Sequence, residues 1–188
     1  MLETILIKSY KNPQACRHFD ALKWLIAAAA NKDVKRANIS DAFAIIDGMY
    51  FATDGHRMHI YQPDSDELPL DYRLADGEYD VKQATKSQIL LQKRDINMFP
   101  DVWRPLQYRP FNGLPDYMPS QLESYALSTF LRYVYQHIGL FNVKFLSDAF
   151  MPLVNMHFER TGDGEYAALV FGNETRVAVV MPILEAGT

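Results

Sequence analysis

The alternation of apolar and polar positions divides this chain into two stretches with the same plan. In the first, Phe19, Leu22, Leu25, Ile26 and Ala29 fall at helical spacing, with Asp20 and Lys23 off that stripe. Four alanines, Ala27 to Ala30, add helix propensity, so the spacing predicts a helix over 14–31. Burying Phe19 and Trp24 would remove roughly 150–250 Å² of surface each, which places this helix in the core. Residues 42–61 then alternate short β-branched and aromatic runs with Asp47-Gly48 and Asp54-Gly55. Asp-Gly suits a two-residue type I′ turn, because both central positions need positive φ. The segment therefore predicts a three-stranded antiparallel meander.

The last third follows suit. Leu127, Leu131, Val134 and Ile138 make a helical stripe closed by Gly139 as a C-cap. Strands are expected at Asn142–Leu146, Leu153–Phe158, Tyr166–Phe171 and Thr175–Met181. A Thr-Gly-Asp-Gly turn and a Gly172-Asn173 type II′ hairpin would connect the last three. Between the two stretches, Gln62 to Gly77 reads as an exposed acidic connection, and Glu78–Lys82 can pair with Ser87–Gln92 as a further hairpin. Met98 to Pro119 holds five prolines with Trp103, Tyr108, Phe111 and Tyr117, a density that excludes continuous helix or central strand. The expected organisation is a first repeat with its extra hairpin over 1–95, a Pro/aromatic-rich connector over 96–120 and a second repeat over 121–188. The two repeats can also form one domain. The fold class is α+β, two helix-plus-antiparallel-meander repeats.

Composition narrows the function classes. At 48% hydrophobic and 22% charged residues, 188 residues suffice for one or two globular domains with a real core. No run approaches the roughly 18 apolar residues of a membrane span, and Met1-Leu2-Glu3-Thr4 lacks the basic start of a secretion signal. The lone Cys16 excludes an internal disulfide and a Cys-based zinc cluster, so a reducing cytoplasm is the expected location. Net charge is −4, whereas proteins that grip nucleic acid by neutralising phosphates carry a basic excess.

Ala52-Thr53-Asp54-Gly55-His56-Arg57-Met58 resembles the Ala-Thr-Asp-Gly-His-Arg-Leu run of the bacterial DNA sliding clamp, the β subunit of DNA polymerase III. Val179-Val180-Met181-Pro182-Ile183 is similar to the Val-Val-Met-Pro-Met that closes that subunit. Phe99-Pro100-Asp101 resembles the segment by which the family's middle domain hands over to the last. The three occur in the family's order. The resemblance implies a DNA clamp-like fold in which several domains close into a ring, helices lining the hole, threading duplex DNA without reading sequence. It also implies self-association, no catalysis and no cofactor, and recruitment of DNA polymerase or other replication proteins through short peptides.

By matching position, the implied peptide-binding residues are Thr53, Gly55, His56, Arg57, Met58, Val180, Met181, Pro182 and Ile183. A methionine-bearing apolar surface adapts to varied side chains, and a nearby arginine can meet a peptide backbone or carboxylate. This chain departs from the family in showing two repeats where a clamp subunit has three domains of two repeats each. Leu184 and Glu185 also stand where the family has a final basic residue.

DNA-facing candidates are Arg17, Lys23, Lys32, Lys35 and Arg36 on or after the first helix and Arg132 on the second. His56 and His59 lie three apart in a strand and so point to opposite faces, which argues against a shared metal ion. Asp54 with His56 offers an acid–base pair without an activated nucleophile or a phosphate loop, so an enzyme is the least supported reading. The alternative to a ring is a clamp-derived interaction module, of phage or mobile-element type, that never encircles DNA.

Overall fold

The computed structural model describes residues 3–9, 13–29, 42–63, 72–95, 99, 127–137, 139–150, 157–161, 168–172 and 175–183. The chain divides into two compact units, Met1–Asp101 and Val102–Thr188.

In the first unit the described strands are β1 (Thr4–Lys8), β2 (Ala42–Ile46), β3 (Met49–Thr53), β4 (Arg57–Tyr61), β5 (Gly77–Ala84) and β6 (Gln88–Lys93). They form one antiparallel sheet in the order β1-β6-β5-β2-β3-β4. The expected meander is β2-β3-β4, and the expected extra hairpin is β5-β6. Strand β1 was not expected, although Thr4-Ile5-Leu6-Ile7-Lys8 carries the apolar run of a strand; it pairs with β6 from Thr4↔Gln92 to Lys8↔Gln88.

The first Asp-Gly turn is type I′, with φ of 52° at Asp47 and 73° at Gly48, and Ile46 pairs directly with Met49. The Asp76 carboxylate accepts from both turn amides, at 3.0 and 3.3 Å. The second turn differs from expectation. Of Asp54 and Gly55 only Gly55 has positive φ, at 85°, and Thr53 pairs with Met58, so four residues bridge the strands. Asp54 uses its side chain to fold the loop instead of adopting the left-handed conformation itself.

Helix α1 (Pro13–Ala27) ends before the predicted Asn31. Ala28 and Ala29 close it with bonds to the Leu25 and Ile26 carbonyls, three residues back. The predicted stripe of Phe19, Leu22, Leu25, Ile26 and Ala29 is buried, as is Trp24, while Asp20 is exposed. α1 packs on β3 and β4. There the Trp24 indole stacks on the His59 imidazole, centroids 4.3 Å apart, and His59 Nδ1 donates to the Trp24 carbonyl at 2.7 Å.

The second unit contains α2 (Leu127–His137), α3 (Val143–Ala149) and an antiparallel β7-β8-β9 set: His157–Thr161, Ala168–Gly172 and Arg176–Val180. Phe130 and Val134 of α2 are buried, with Phe130 against the rings of Phe150 (5.2 Å) and Phe171 (5.3 Å). Gly139 ends α2, its N–H bonded to the Val134 carbonyl and its φ at 145°.

The strand expected at Asn142–Leu146 is helix α3. Asn142 is its N-cap, the side-chain oxygen accepting from Lys144 N (2.9 Å) and Phe145 N (3.4 Å), and the cap decides the conformation over the β-branched Val143. The expected two-residue hairpin at Gly172-Asn173 is also corrected, because Gly172 pairs with Val177 and four residues make the connection. Glycine is required there for space, since a Cβ would lie 2.0 Å from the Arg176 carbonyl oxygen. Residues 153–156, Tyr166, Asn173, the Gly-Asp-Gly of the predicted 161–164 turn and, but for Phe99, the 96–120 connector lie outside the described residues.

Candidate functional site

The loop from Thr53 to Met58 is built by its own side chains. Thr53 Oγ1 donates to the Arg57 carbonyl (2.6 Å) and accepts from Gly55 N (3.0 Å). Asp54 Oδ1 accepts from His56 N (2.9 Å) and Arg57 N (3.1 Å), and Asp54 Oδ2 accepts from Arg57 Nε at 3.1 Å. The Arg57 guanidinium also donates through Nη2 to the carbonyl of Ala27, the last residue of α1, at 2.6 Å. A cation at a helix C-terminus is favoured by the helix dipole. The Arg57 side chain is fully buried and that of Asp54 nearly so, so this pair fastens loop to helix.

Arg57, expected to meet an incoming peptide, has its Nε on Asp54 and its Nη2 on Ala27. Thr53 and Met58 are also buried, leaving Gly55 exposed and His56 half-buried as the outer part of the loop.

In the second unit β9 runs out through Val180, which is buried, to Met181 and Ile183, which are exposed, with Pro182 between them half-buried. Phe141 bridges Pro182 in antiparallel fashion, and Ile183 N donates to the Leu140 carbonyl at 2.9 Å. Side chains alternate across such a pair. Phe141 points inward, so Leu140 falls opposite Ile183 on the outer side, and Met181 lies opposite Asn142. The exposed Val143 follows at the first turn of α3. Val143 was missed because Asn142–Leu146 was read as a strand, and Leu140 because it fell between the Gly139 cap and that strand. The signal was the Asn142 cap, which ends the extended stretch at once.

Arg17 is exposed and Lys23 half-buried on α1, with the exposed Asp20 three residues from each; Arg132 is exposed on α2. Lys144 on α3 is paired with Asp148 at 2.8 Å. Lys32, Lys35 and Arg36 lie outside the described residues. Among the described residues no group of three or more His, Cys, Asp or Glu side chains could hold a metal ion, and no helix is long and apolar enough to cross a membrane. His59, one of the two tempting ligands, is turned inward onto Trp24.

A further ion-paired cluster lies on β5 and β6. Glu78 accepts from the backbone N–H of Phe99, and Arg94 contacts both Glu78 (3.7 Å) and Asp80 (2.5 Å). Burial raises the Asp80 carboxyl, but hydrogen bonds and charge from Lys82 and Arg94 outweigh it and hold the group below its ordinary value. Phe99 is thereby tied to β5 of its own unit.

No family model matches the chain, and no curated protein matches it. Solved structures do. The DNA polymerase III beta subunit from Thermotoga maritima aligns over 97% of this chain with a TM-score of 0.53 at 11% identity. The beta chain from Streptococcus pneumoniae aligns over 97% with a TM-score of 0.50 at 11% identity, and the beta subunit from Streptococcus pyogenes over 97% with a TM-score of 0.50 at 12%. The alignments span 66%, 65% and 66% of those subunits, just under two thirds of their length. At such identities the likeness shows fold, and it agrees with the α+β helix-and-antiparallel-sheet units described above. The chain has the fold of the bacterial DNA sliding clamp.

Proposed function

We propose that this chain is a sliding-clamp-like tethering factor for replication proteins: it is non-catalytic, several copies associate to enclose duplex DNA, and partners such as DNA polymerase are recruited through short peptide segments. The observation that carries the reading is the clamp fold over 97% of the chain, joined to the Thr53–Met58 and Val180–Ile183 runs that sit at a surface loop and at the exposed end of β9. Holding would be topological. A ring that encloses DNA needs few phosphate contacts, which reconciles a net charge of −4 with residence on DNA. Arg17, Lys23 and Arg132 are the described residues proposed to face it, and Lys32, Lys35 and Arg36 are proposed with them. Work on DNA in the cytoplasm is part of the same reading.

Gly55 and His56 in the first unit, and Met181 and Ile183 in the second, are each proposed as peptide contacts. Thr53, Arg57, Met58, Val180 and Pro182 support them from beneath or beside. A second reading, a clamp-derived module that binds replication proteins without encircling DNA, is favoured by the mixed charge on α1, where Asp20 sits between Arg17 and Lys23. Sedimentation of the full chain at micromolar concentration separates the two. A stable closed multimer supports the ring, and a monomer throughout supports the module.

A further inference from the structure

Two buried imidazoles join α1 to β4. His59 is 0% exposed and His18 5%. His59 and Tyr61 lie two apart on β4, so they face the same side of the sheet, where both meet α1. We propose that His18 and His59 are proton-sensitive pins that hold α1 on β4 while neutral and release it in mild acid. The inference stands apart from the tethering function proposed above and concerns how the helix and the Thr53–Met58 loop are held.

Each pin has its own partner. His59 Nδ1 donates to the Trp24 carbonyl at 2.7 Å while its ring stacks on the indole, the planes 11° apart. A carbonyl only accepts, so the single proton of the neutral ring sits on Nδ1. His18 Nδ1 is hydrogen-bonded to the Tyr61 hydroxyl. Residues 18 and 24 are roughly 9 Å apart along a helix axis. α1 is thus fastened to β4 at two separate points.

Burial decides the direction. Charging an imidazole costs its hydration, and neither the Trp24 carbonyl nor the attraction of an indole face for a cation restores that in a buried ring. The described charged groups beside this interface on the sheet are Arg57 and Asp54, which pair with each other. Tyr61 and its β3 neighbour Tyr50 are uncharged phenols below about pH 10. On α1, Arg17 and Asp20 are exposed, and Cys16 and Lys23 are half-buried. Both imidazoles are therefore expected to take a proton only below the ordinary value of about 6.5.

A base whose folded value is depressed gives its full contribution above its unfolded value and loses it as pH falls below that value. Release of α1 therefore sets in below about pH 6.5. It withdraws the Ala27 carbonyl from Arg57 Nη2, so the anchor of the Thr53–Met58 loop goes with the helix.

The test follows the full chain from about pH 7.5 to about pH 5 with two readouts. Imidazole NMR gives the titration of His18 and His59, and hydrogen exchange, corrected for the intrinsic effect of pH, gives amide protection. Both rings should titrate below about 6.5, and protection of α1 should fall at least tenfold while α2 and β8 keep theirs. The His18→Asn, His59→Asn double variant puts an amide where each Nδ1 sits, which keeps both hydrogen bonds without a group to charge. It should abolish the pH dependence of α1, and a folded variant that retains it overturns the proposal. Where the variant does not fold, the parent chain decides. Protection of α1 that stays constant over the range, or that falls together with that of α2 and β8, overturns the proposal, as do imidazoles that titrate at or above the ordinary value.

Discussion

Arg57 reaches 30 residues back along the chain to hold Ala27, its guanidinium 2.6 Å from the carbonyl that ends α1 while Asp54 grips the same group from the loop. One side chain thus sets both the turn between β3 and β4 and the end of the helix packed on those strands. Replacing it strands a buried carboxylate and a helix-terminal carbonyl. Arg57→Ala is expected to destabilise the chain by about 3 kcal/mol, the usual cost of leaving one partner of a buried pair alone. Urea denaturation measures it. A variant as stable as the parent would show that the pair is dispensable, and any loss of peptide binding could then be assigned to direct contact.

The two glycines at hairpins should respond differently. Gly48 has φ of 73° with open space around its Cα, so Gly48→Ala meets only backbone strain, about 1 kcal/mol. Gly172 is crowded, with the Arg176 carbonyl oxygen 2.0 Å from where a Cβ would sit. Gly172→Ala must move the β8–β9 connection and is expected to cost more, about 2–3 kcal/mol. Thermal unfolding of the two variants side by side gives the ranking, and equal losses would contradict it.

Asn142→Ala removes the acceptor for Lys144 N and Phe145 N, costing about 1 kcal/mol locally. A seven-residue helix has little to spare, so hydrogen exchange should rise across Val143–Ala149 with β8 amides unchanged. Asn142→Asp, which keeps the acceptor, should preserve protection.

Stability should fall at both extremes of pH. Burial raises the Tyr50 phenol above its ordinary 10.0, and its hydroxyl donates to the Tyr72 carbonyl at 2.8 Å. A raised folded pKa means that the Tyr50 contribution is complete below about pH 10 and is lost as pH climbs through the folded value. Asp80 runs the other way. Its folded value lies below the ordinary 3.8, so its contribution is present above that and disappears as pH drops through the folded value. Denaturation from pH 3 to 11 should show both limbs, with Tyr50→Phe flattening the alkaline one.

Much of the fold was legible where local chemistry and tertiary packing agree. The Phe19–Ala29 stripe reads as a buried helical face because one periodicity covers it, and Asp47-Gly48 reads as a hairpin because both residues must take positive φ. The sequence misled where a polar side chain overrode a pattern. Val143 suggested strand until the Asn142 cap fixed helix, and Asp54 folded its loop through its carboxylate although the same dipeptide seven residues earlier makes a tight turn. The site suffered likewise. The partners of Arg57, Asp54 three residues away and Ala27 thirty, were not read from the sequence, and only the fold shows both within reach. Leu140 and Val143 were missed as surface residues because the Asn142 cap, which turns the chain from extended to helical there, was read as part of a strand.

The central claim is that copies of this chain enclose DNA. It is tested most directly by residence time on a linear duplex whose ends are either open or blocked with bulky protein after mixing. The account predicts long residence when the ends are blocked and rapid loss when they are open, because an enclosing ring leaves by sliding off. Equal residence on both duplexes would contradict it.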